Sequence, residues 1–340
     1  NMTENRSRAN IFIEQNRFSY IDILRGIGIF FVVLGHIYYN DVAYRWIYSF
    51  HMPLFFFAAG WVYKEKPIRD DIKKRLQTIV RPYFCFGMAT ILYWQLFEKS
   101  FRSADISFIQ AIEGLVSGMY EHLSFNVHLW FLPCFFIVTV LFNALVRIGK
   151  KYRYDLSFPV ILCMSAIYIF VGLPSLPWGI DKAFGYILFY KIGSFFSLSK
   201  ADKRLQAHSI SYQRVCIVFL LTMSFFFSYC SINQGIMWYV TAMLGIVSAW
   251  IFSVLLHKNR ILEYLGKISL VILCVHGPVY RILIKVVSIL LCWSTDAVRE
   301  NFILSLLLTV LTLALCGICF QIIKRFFPWC IGRQRKKAVV

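Results

Sequence analysis

Three ionisable residues stand in the first long apolar run of the chain: Asp22, Arg25 and His36. Histidine is the side chain whose ordinary pKa suits proton transfer near neutral pH, and a ring nitrogen can also take up an acyl group. The fixed charge of arginine suits a phosphate or a developing oxyanion. On a helix, Arg25 and His36 are three turns plus about 20° apart, so they share one face and are separated by about 16 Å along the axis. Asp22 lies one turn before Arg25 and can pair with it. Charges inside a membrane span are costly, which makes each of the three a functional candidate. Gly26, Gly28 and Gly35 in the same run allow a helix or ligand to approach closely.

His51 stands in Ser49-Phe50-His51-Met52-Pro53 at the start of the second apolar run, at about the depth of His36. His276 lies about 12 Å into a later run, counted from Ile268 at 1.5 Å per residue. Arg281 and Lys285 follow it, four apart on one face. Lys191 in a further run either binds an anionic ligand or snorkels to the headgroups. Each candidate also has a plainer role: Arg25 snorkelling, His36 bonded to a neighbouring carbonyl, His51 and Lys285 anchored at the interface. His122, His208 and His257 fall in loops. The chain has no nucleotide loop, Gly-x-Ser-x-Gly elbow or His-Glu-x-x-His. Cys316 and Cys319 have zinc-like spacing without a second pair, so no metal is expected. Most of the ten cysteines lie in apolar runs, where they act as small hydrophobes.

Elements that cross a bilayer must position these groups. Of the 340 residues 59% are hydrophobic and only 16% charged, with a mean hydropathy of +0.63. Ordinary soluble domains carry about 45–50% apolar and about 25% charged residues. Apolar runs cover residues 20–39, 46–63, 82–97, 129–148, 156–173, 182–198, 215–232, 236–256, 268–292 and 301–327. The expected fold is therefore all-α and polytopic, with about ten transmembrane helices. The first run has no small-residue cleavage site after it and reads as a span rather than a signal peptide.

Lysines and arginines on alternate sides of these spans divide 27 to 5, which puts both termini in the cytoplasm. The same asymmetry explains the net charge of +19 without nucleic acid, because the charge is dispersed over six segments facing anionic headgroups. Between Glu98 and Val127, Phe108, Ile109, Ile112, Leu115 and Val116 recur at helical spacing. Asp105 and Ser107 offer helix-start chemistry there, with Ser107 and Gln110 as a capping box, which predicts an amphipathic helix on the outer face.

Tyr20-Ile21-Asp22-Ile23-Leu24-Arg25-Gly26, with His36 after ten further residues, resembles the first-helix signature of the integral-membrane acyltransferase-3 family. Ser49 to Gly60 is similar to the family's second helix, and Lys73-Lys74-Arg75 leading to Arg81-Pro82-Tyr83 resembles its basic cytoplasmic loop. His128-Leu129-Trp130-Phe131-Leu132-Pro133 and Leu265 through His276 resemble later segments, particularly in the fucose 4-O-acetylase-like, polysaccharide O-acetyltransferase branch. The likeness spans residues 18 to about 285.

It implies a cytoplasmic (inner) membrane enzyme moving an acetyl group from cytoplasmic acetyl-CoA to a sugar hydroxyl of a cell-surface polysaccharide or its lipid-linked precursor. Acetyl-CoA is then a co-substrate, with no tightly bound cofactor. The family's essential first-helix His and supporting Arg map onto His36 and Arg25, with Asp22 orienting Arg25. Lys74, Arg75, Arg81 and Lys191 are expected to hold the donor, and His51, His276, Arg281 and Trp130 the acceptor. One departure is that Arg75 and Arg81 are six apart, so the close Arg-x-x-Arg of some members is missing. The expected organisation is a tail over 1–17, a transmembrane acyltransferase domain over 18–327 and a basic tail over 328–340. A transporter or flippase of a glycolipid or anionic solute is the rival class, but it predicts matching broken helices in two related halves. The sequence has no such symmetry, because its polar residues crowd into the first, second and ninth spans.

Overall fold

A computed structural model describes residues 19–99, 106–153, 155, 157–232 and 234–332. The tail expected over 1–17, the residues after 332, and Arg102 and Asp105 lie outside the described residues. Fifteen α-helices are described: α1 (Ser19–Ile37), α2 (Asp41–Trp61), α3 (Ile68–Arg75), α4 (Arg81–Tyr93), α5 (Phe108–Ser117), α6 (Phe131–Tyr152), α7 (Ser157–Phe170), α8 (Ile180–Leu198), α9 (Ala201–Gln206), α10 (Ile210–Tyr229), α11 (Ile236–Leu256), α12 (Arg260–Lys267), α13 (Ser269–Leu291), α14 (Thr295–Glu300) and α15 (Phe302–Phe326). Wider π-helical turns at Leu76–Val80 and Trp94–Glu98 flank α4.

The protein is an all-α polytopic membrane protein, with no strand among the described residues. A helix stands at each of the ten apolar runs. Six stretches are long and apolar enough to cross a bilayer: α1, Val127–Tyr152, α10, α11, α13 and α15. The remaining four runs fall short of that length or hydropathy; α7, for instance, has only 14 residues.

Local chemistry sets the helix ends. The side chains of Asn40, Ser209, Asn259, Ser294 and Asn301 each cap an N-terminus by accepting a backbone N–H. At α5 the capping box forms: Ser107 Oγ accepts from the Gln110 N–H at 3.2 Å, and Gln110 Oε1 accepts from the Ser107 N–H at 2.7 Å. Gly118, at φ 63°, ends that helix in the left-handed region.

The described residues fall into two compact units, one of residues up to Tyr63 together with Ile192–Ser269, the other of Lys64–Lys191 and the residues from Leu270 onward. In the first, α1 is enclosed by α2, α11 and α12. Glycines make this possible. Gly26 abuts the backbone of Leu262, and Gly266 on α12 abuts the backbone of Asp22, so α1 and α12 touch backbone to backbone. Trp61 lies 5.4 Å from Trp250, ring to ring, and closes the apolar core.

In the second unit α6 is a central post. Asn143 on α6 donates from Nδ2 to the Lys66 carbonyl at 3.0 Å and accepts the Lys66 N–H at 3.3 Å, which fixes the segment leading into α3. Glu65 pairs with Arg147 and Lys150 beside it. The Tyr83 hydroxyl donates to the Leu115 carbonyl at 2.6 Å and ties α4 to α5.

Candidate active site

In the first unit the polar stripe of α1 has two ends. At one, Arg25 Nη1 lies 3.5 Å from Asp22 Oδ1, both side chains partly buried. The helix facing them, α12, adds Glu263 and Lys267, which sequence reasoning missed. Ser19 Oγ donates to Glu263 Oε1 at 2.5 Å, and Lys267 Nζ is 3.5 Å from Glu263 Oε2. Two cations and two carboxylates are thus gathered where α1 and α12 cross.

At the other end, His36 Nδ1 and the Tyr48 hydroxyl are 2.8 Å apart. Tyr48 also lies edge-on to His51, with ring centroids 4.7 Å apart, and Tyr44 stacks on it at 3.9 Å. His36 and His51 are therefore linked through a tyrosine that sequence reasoning missed. Its residue type carries no signal in a chain this rich in tyrosine, but its place three residues before His51 puts it on the same helix face. His51 is 2% exposed, and its Nδ1–H donates to the Ile47 carbonyl at 2.7 Å. That bond fixes the tautomer and leaves Nε2 as the basic nitrogen.

The second unit builds a histidine pair. His276 is fully buried on α13 and donates from Nδ1 to the carbonyls of Ile272 and Leu273, at 2.9 and 3.0 Å. His128 lies 4.2 Å from it, ring to ring. Asn126 sets the orientation of His128: its Nδ2 donates to the Cys274 carbonyl at 2.9 Å, so its Oδ1 is the atom 3.0 Å from His128 Nδ1. His128 then carries its hydrogen on Nδ1 and presents Nε2 as the base. Gly277 allows this closeness, since a Cβ there would press on both His128 and Asn126. In the sequence His128 is visible only as part of a family-like segment and Asn126 not at all, although an amide two residues before a histidine in an apolar stretch is the available signal.

Arg281 Nε is 2.9 Å from Glu98 Oε1, and its Nη2 donates to the Phe125 carbonyl at 3.3 Å. A cavity of about 750 Å³ opens beside them, lined among others by His128, Tyr280, Arg281, Lys285 and Arg299. Trp130 is half-buried against Tyr186, with the Lys182 ammonium 5.8 Å from its ring centre.

The four residues expected to hold the donor are placed as follows. Lys74 and Arg81 are exposed. Arg75 Nε is 2.9 Å from the carboxylate of buried Asp71. The Lys74 ammonium beside Lys66, with partial burial, holds Lys66 below the ordinary lysine value, so two cations stand close together in this loop. Lys191 donates to Ser157 Oγ at 2.8 Å and pairs with Asp155 at 3.1 Å. The Ser157 hydroxyl, and then Lys191, hold Asp155 below the usual carboxylate range. All ten cysteines are free thiols.

Residues 18–321 match the acyltransferase domain of the acyltransferase-3 family, and the chain belongs to that family. It is also 29% identical over 174 residues to the nodulation protein NolL of Sinorhizobium fredii. That match covers 45% of this chain and 42% of NolL. No solved structure matches the chain.

Proposed function

We propose that the protein is a membrane O-acyltransferase of the cytoplasmic membrane, moving an acetyl group from cytoplasmic acetyl-CoA to a sugar hydroxyl of a cell-surface polysaccharide or its lipid-linked precursor. The observation that carries the reading is the α1 stripe: an Arg25–Asp22 pair at one end and, at the other, His36 held by Tyr48, within a chain of the acyltransferase-3 family. The 27 to 5 division of basic residues supports a cytoplasmic start for α1, which puts Arg25 towards the donor and His36 towards the acceptor.

His36 acts as general base or as acyl acceptor. As base, it takes the proton of the sugar hydroxyl while the oxygen attacks the thioester carbonyl; the tetrahedral intermediate expels the CoA thiolate, which receives that proton. As acceptor, its neutral nitrogen attacks the thioester carbonyl and expels the CoA thiolate; the sugar oxygen then attacks the acetyl carbon, the C–N bond to the imidazole breaks, and the proton of the sugar hydroxyl passes to the thiolate. Arg25, about 16 Å from His36 along the helix, holds the donor by its fixed positive charge, and Asp22 fixes the guanidinium. Lys74, Arg75 and Arg81, with Lys66, suit the phosphates of the donor; Lys191 completes that proposed set. His51, His276, Arg281 and Trp130 are the proposed acceptor-binding residues.

The test is transfer from radiolabelled acetyl-CoA to endogenous glycans in membranes carrying wild type or His36→Ala at matched expression and folding. Label in the glycan that disappears in the variant is the expected result. Equal labelling in both would remove His36 from the chemistry.

A further inference from the structure

We infer that a groove between α9, α10 and α11 binds one anionic glycerophospholipid of the cytoplasmic leaflet. The groove lies within the first unit and has a volume of about 350 Å³. Among the described residues its lining includes none of α1, so lipid binding there is independent of the acyl-transfer reading. The 27 to 5 division of basic residues supports a cytoplasmic position for residues 200–214, beside the leaflet that carries anionic lipid.

The mouth of the groove is a fixed turn. α9 ends at Gln206 and α10 starts at Ile210, and the buried amide of Gln213 closes the gap: its Nε2 donates to the Leu205 and His208 carbonyls at 3.1 and 3.0 Å. Ser209 Oγ accepts the Tyr212 N–H at 3.2 Å, and the His208 ring lies 4.8 Å from that of Tyr212. Arg204, His208 and Tyr212 thereby line this end. Asp202, the nearest carboxylate in the chain, accepts the Tyr20 hydroxyl at 3.1 Å, and among the described residues Arg204 has no ion-pair partner. Arg204 and His208 are suited to a phosphate.

Further along α10 the lining turns apolar. Leu220 lies about 15 Å along the axis from Ile210, half of the roughly 30 Å hydrocarbon core and so the reach of one leaflet's acyl chain. Phe219 beside it is exposed, as are Val215 and Val218, and α11 adds Ile251.

Trp250 points to a glycerolipid in particular. Its side chain is 4% exposed, packs against Trp61 and Phe196 with ring centroids 5.4 and 5.7 Å away, and forms part of the groove wall. Its indole N–H has no acceptor among the described residues. That nitrogen only donates, and a buried donor calls for an acceptor. Trp250 stands about 9 Å along α11 from its end at Leu256, shallower than Leu220. An ester carbonyl, which lies between the phosphate and the hydrocarbon of a phospholipid, is an acceptor for that depth. Phosphate at Arg204 and His208, ester at Trp250 and chain along Phe219, Leu220 and Ile251 follow the order of the lipid itself. A free phosphate would leave the indole and the apolar wall unused.

Native mass spectrometry of the purified protein in neutral detergent tests this. The probes are dioctanoyl phosphatidylglycerol, dioctanoyl phosphatidylcholine, the dioctyl ether form of phosphatidylglycerol, and glycerol 3-phosphate. Phosphatidylglycerol is expected to bind at least about tenfold more tightly than phosphatidylcholine. Arg204→Gln with His208→Gln should remove that preference, and Arg204→Lys should keep it. The ether form lacks ester carbonyls and should bind wild type about three- to tenfold more weakly than the ester form, while Trp250→Phe binds the two alike. The ether comparison on wild type stands even where Trp250→Phe fails to fold. Equal binding of phosphatidylglycerol and phosphatidylcholine, equal binding of the ester and ether forms by wild type, or glycerol 3-phosphate binding as tightly as phosphatidylglycerol would each overturn the inference.

Discussion

Replacing Gly26 or Gly266 by alanine tests whether the crossing of α1 and α12 holds the polar stripe of α1 in place. A Cβ at either position falls roughly 1 Å inside van der Waals contact with the opposite backbone, at Leu262 or Asp22 respectively. Backbone cannot rotate aside as a side chain can, so the helices must separate. Overpacking of this kind costs about 1–3 kcal/mol, and about 2–4 °C of unfolding midpoint accompanies each kcal/mol in a domain of about 150–250 residues.

The two glycines belong to one crossing, and Gly26 lies one turn from Asp22, so the gap opened by the first Cβ admits the second. Gly26→Ala/Gly266→Ala should then cost little more than the worse single variant. Since Arg25 adjoins Gly26, a shift of about 1 Å should lower acetyl transfer by up to about 100-fold. Thermal unfolding in detergent, followed by tryptophan fluorescence, and transfer of labelled acetyl groups measure the two effects. A double variant that loses the sum of the single costs, or singles as stable and active as wild type, would refute the reasoning.

Tyr48→Phe removes the hydroxyl beside His36 while keeping the ring stack; transfer should fall about tenfold, with its pH profile displaced and the unfolding midpoint nearly unchanged. Asn126→Leu leaves the Cys274 carbonyl and His128 without their amide partner and should cost about 2–3 kcal/mol in the same unfolding assay. Arg75→Ala strands the buried carboxylate of Asp71 and should cost about 3–5 kcal/mol; Asp71→Asn/Arg75→Gln should recover the stability, while a raised KM for acetyl-CoA that persists in this pair would mark a donor contact. The folded-state pKa of Asp155 is depressed, so its contribution is present above the unfolded value near 3.8 and is lost as pH falls through the folded value. The small midpoint difference between wild type and Asp155→Asn should accordingly be constant from about pH 7 to 5 and shrink below about pH 4.

Several parts of this arrangement were legible in the sequence. The stripe of Asp22, Arg25 and His36 follows from helical periodicity alone, and the packing use of Gly26, Gly28 and Gly35 from the absence of side chains on a crowded helix. The Ser107–Gln110 capping box was readable because both partners lie within four residues. Partners far apart in the chain were not readable. Arg281 and Glu98 are 183 residues apart, and Asn126 and Cys274 are 148 apart. Tyr48 was hidden for another reason: tyrosine is common in this chain, so residue type gave it no distinction.

The sequence by itself determined an all-α membrane protein and the residues of its first helix that could carry chemistry. Hydropathy and helical phase are local quantities, summed over neighbours along one chain segment. The tertiary structure alone decided that Tyr48 joins His36 and His51, that Asn126 fixes the tautomer of His128 beside His276, and that Glu98 occupies Arg281. Those pairings depend on where helices cross and on which glycines let their backbones approach, and that geometry is a property of the packed helices together.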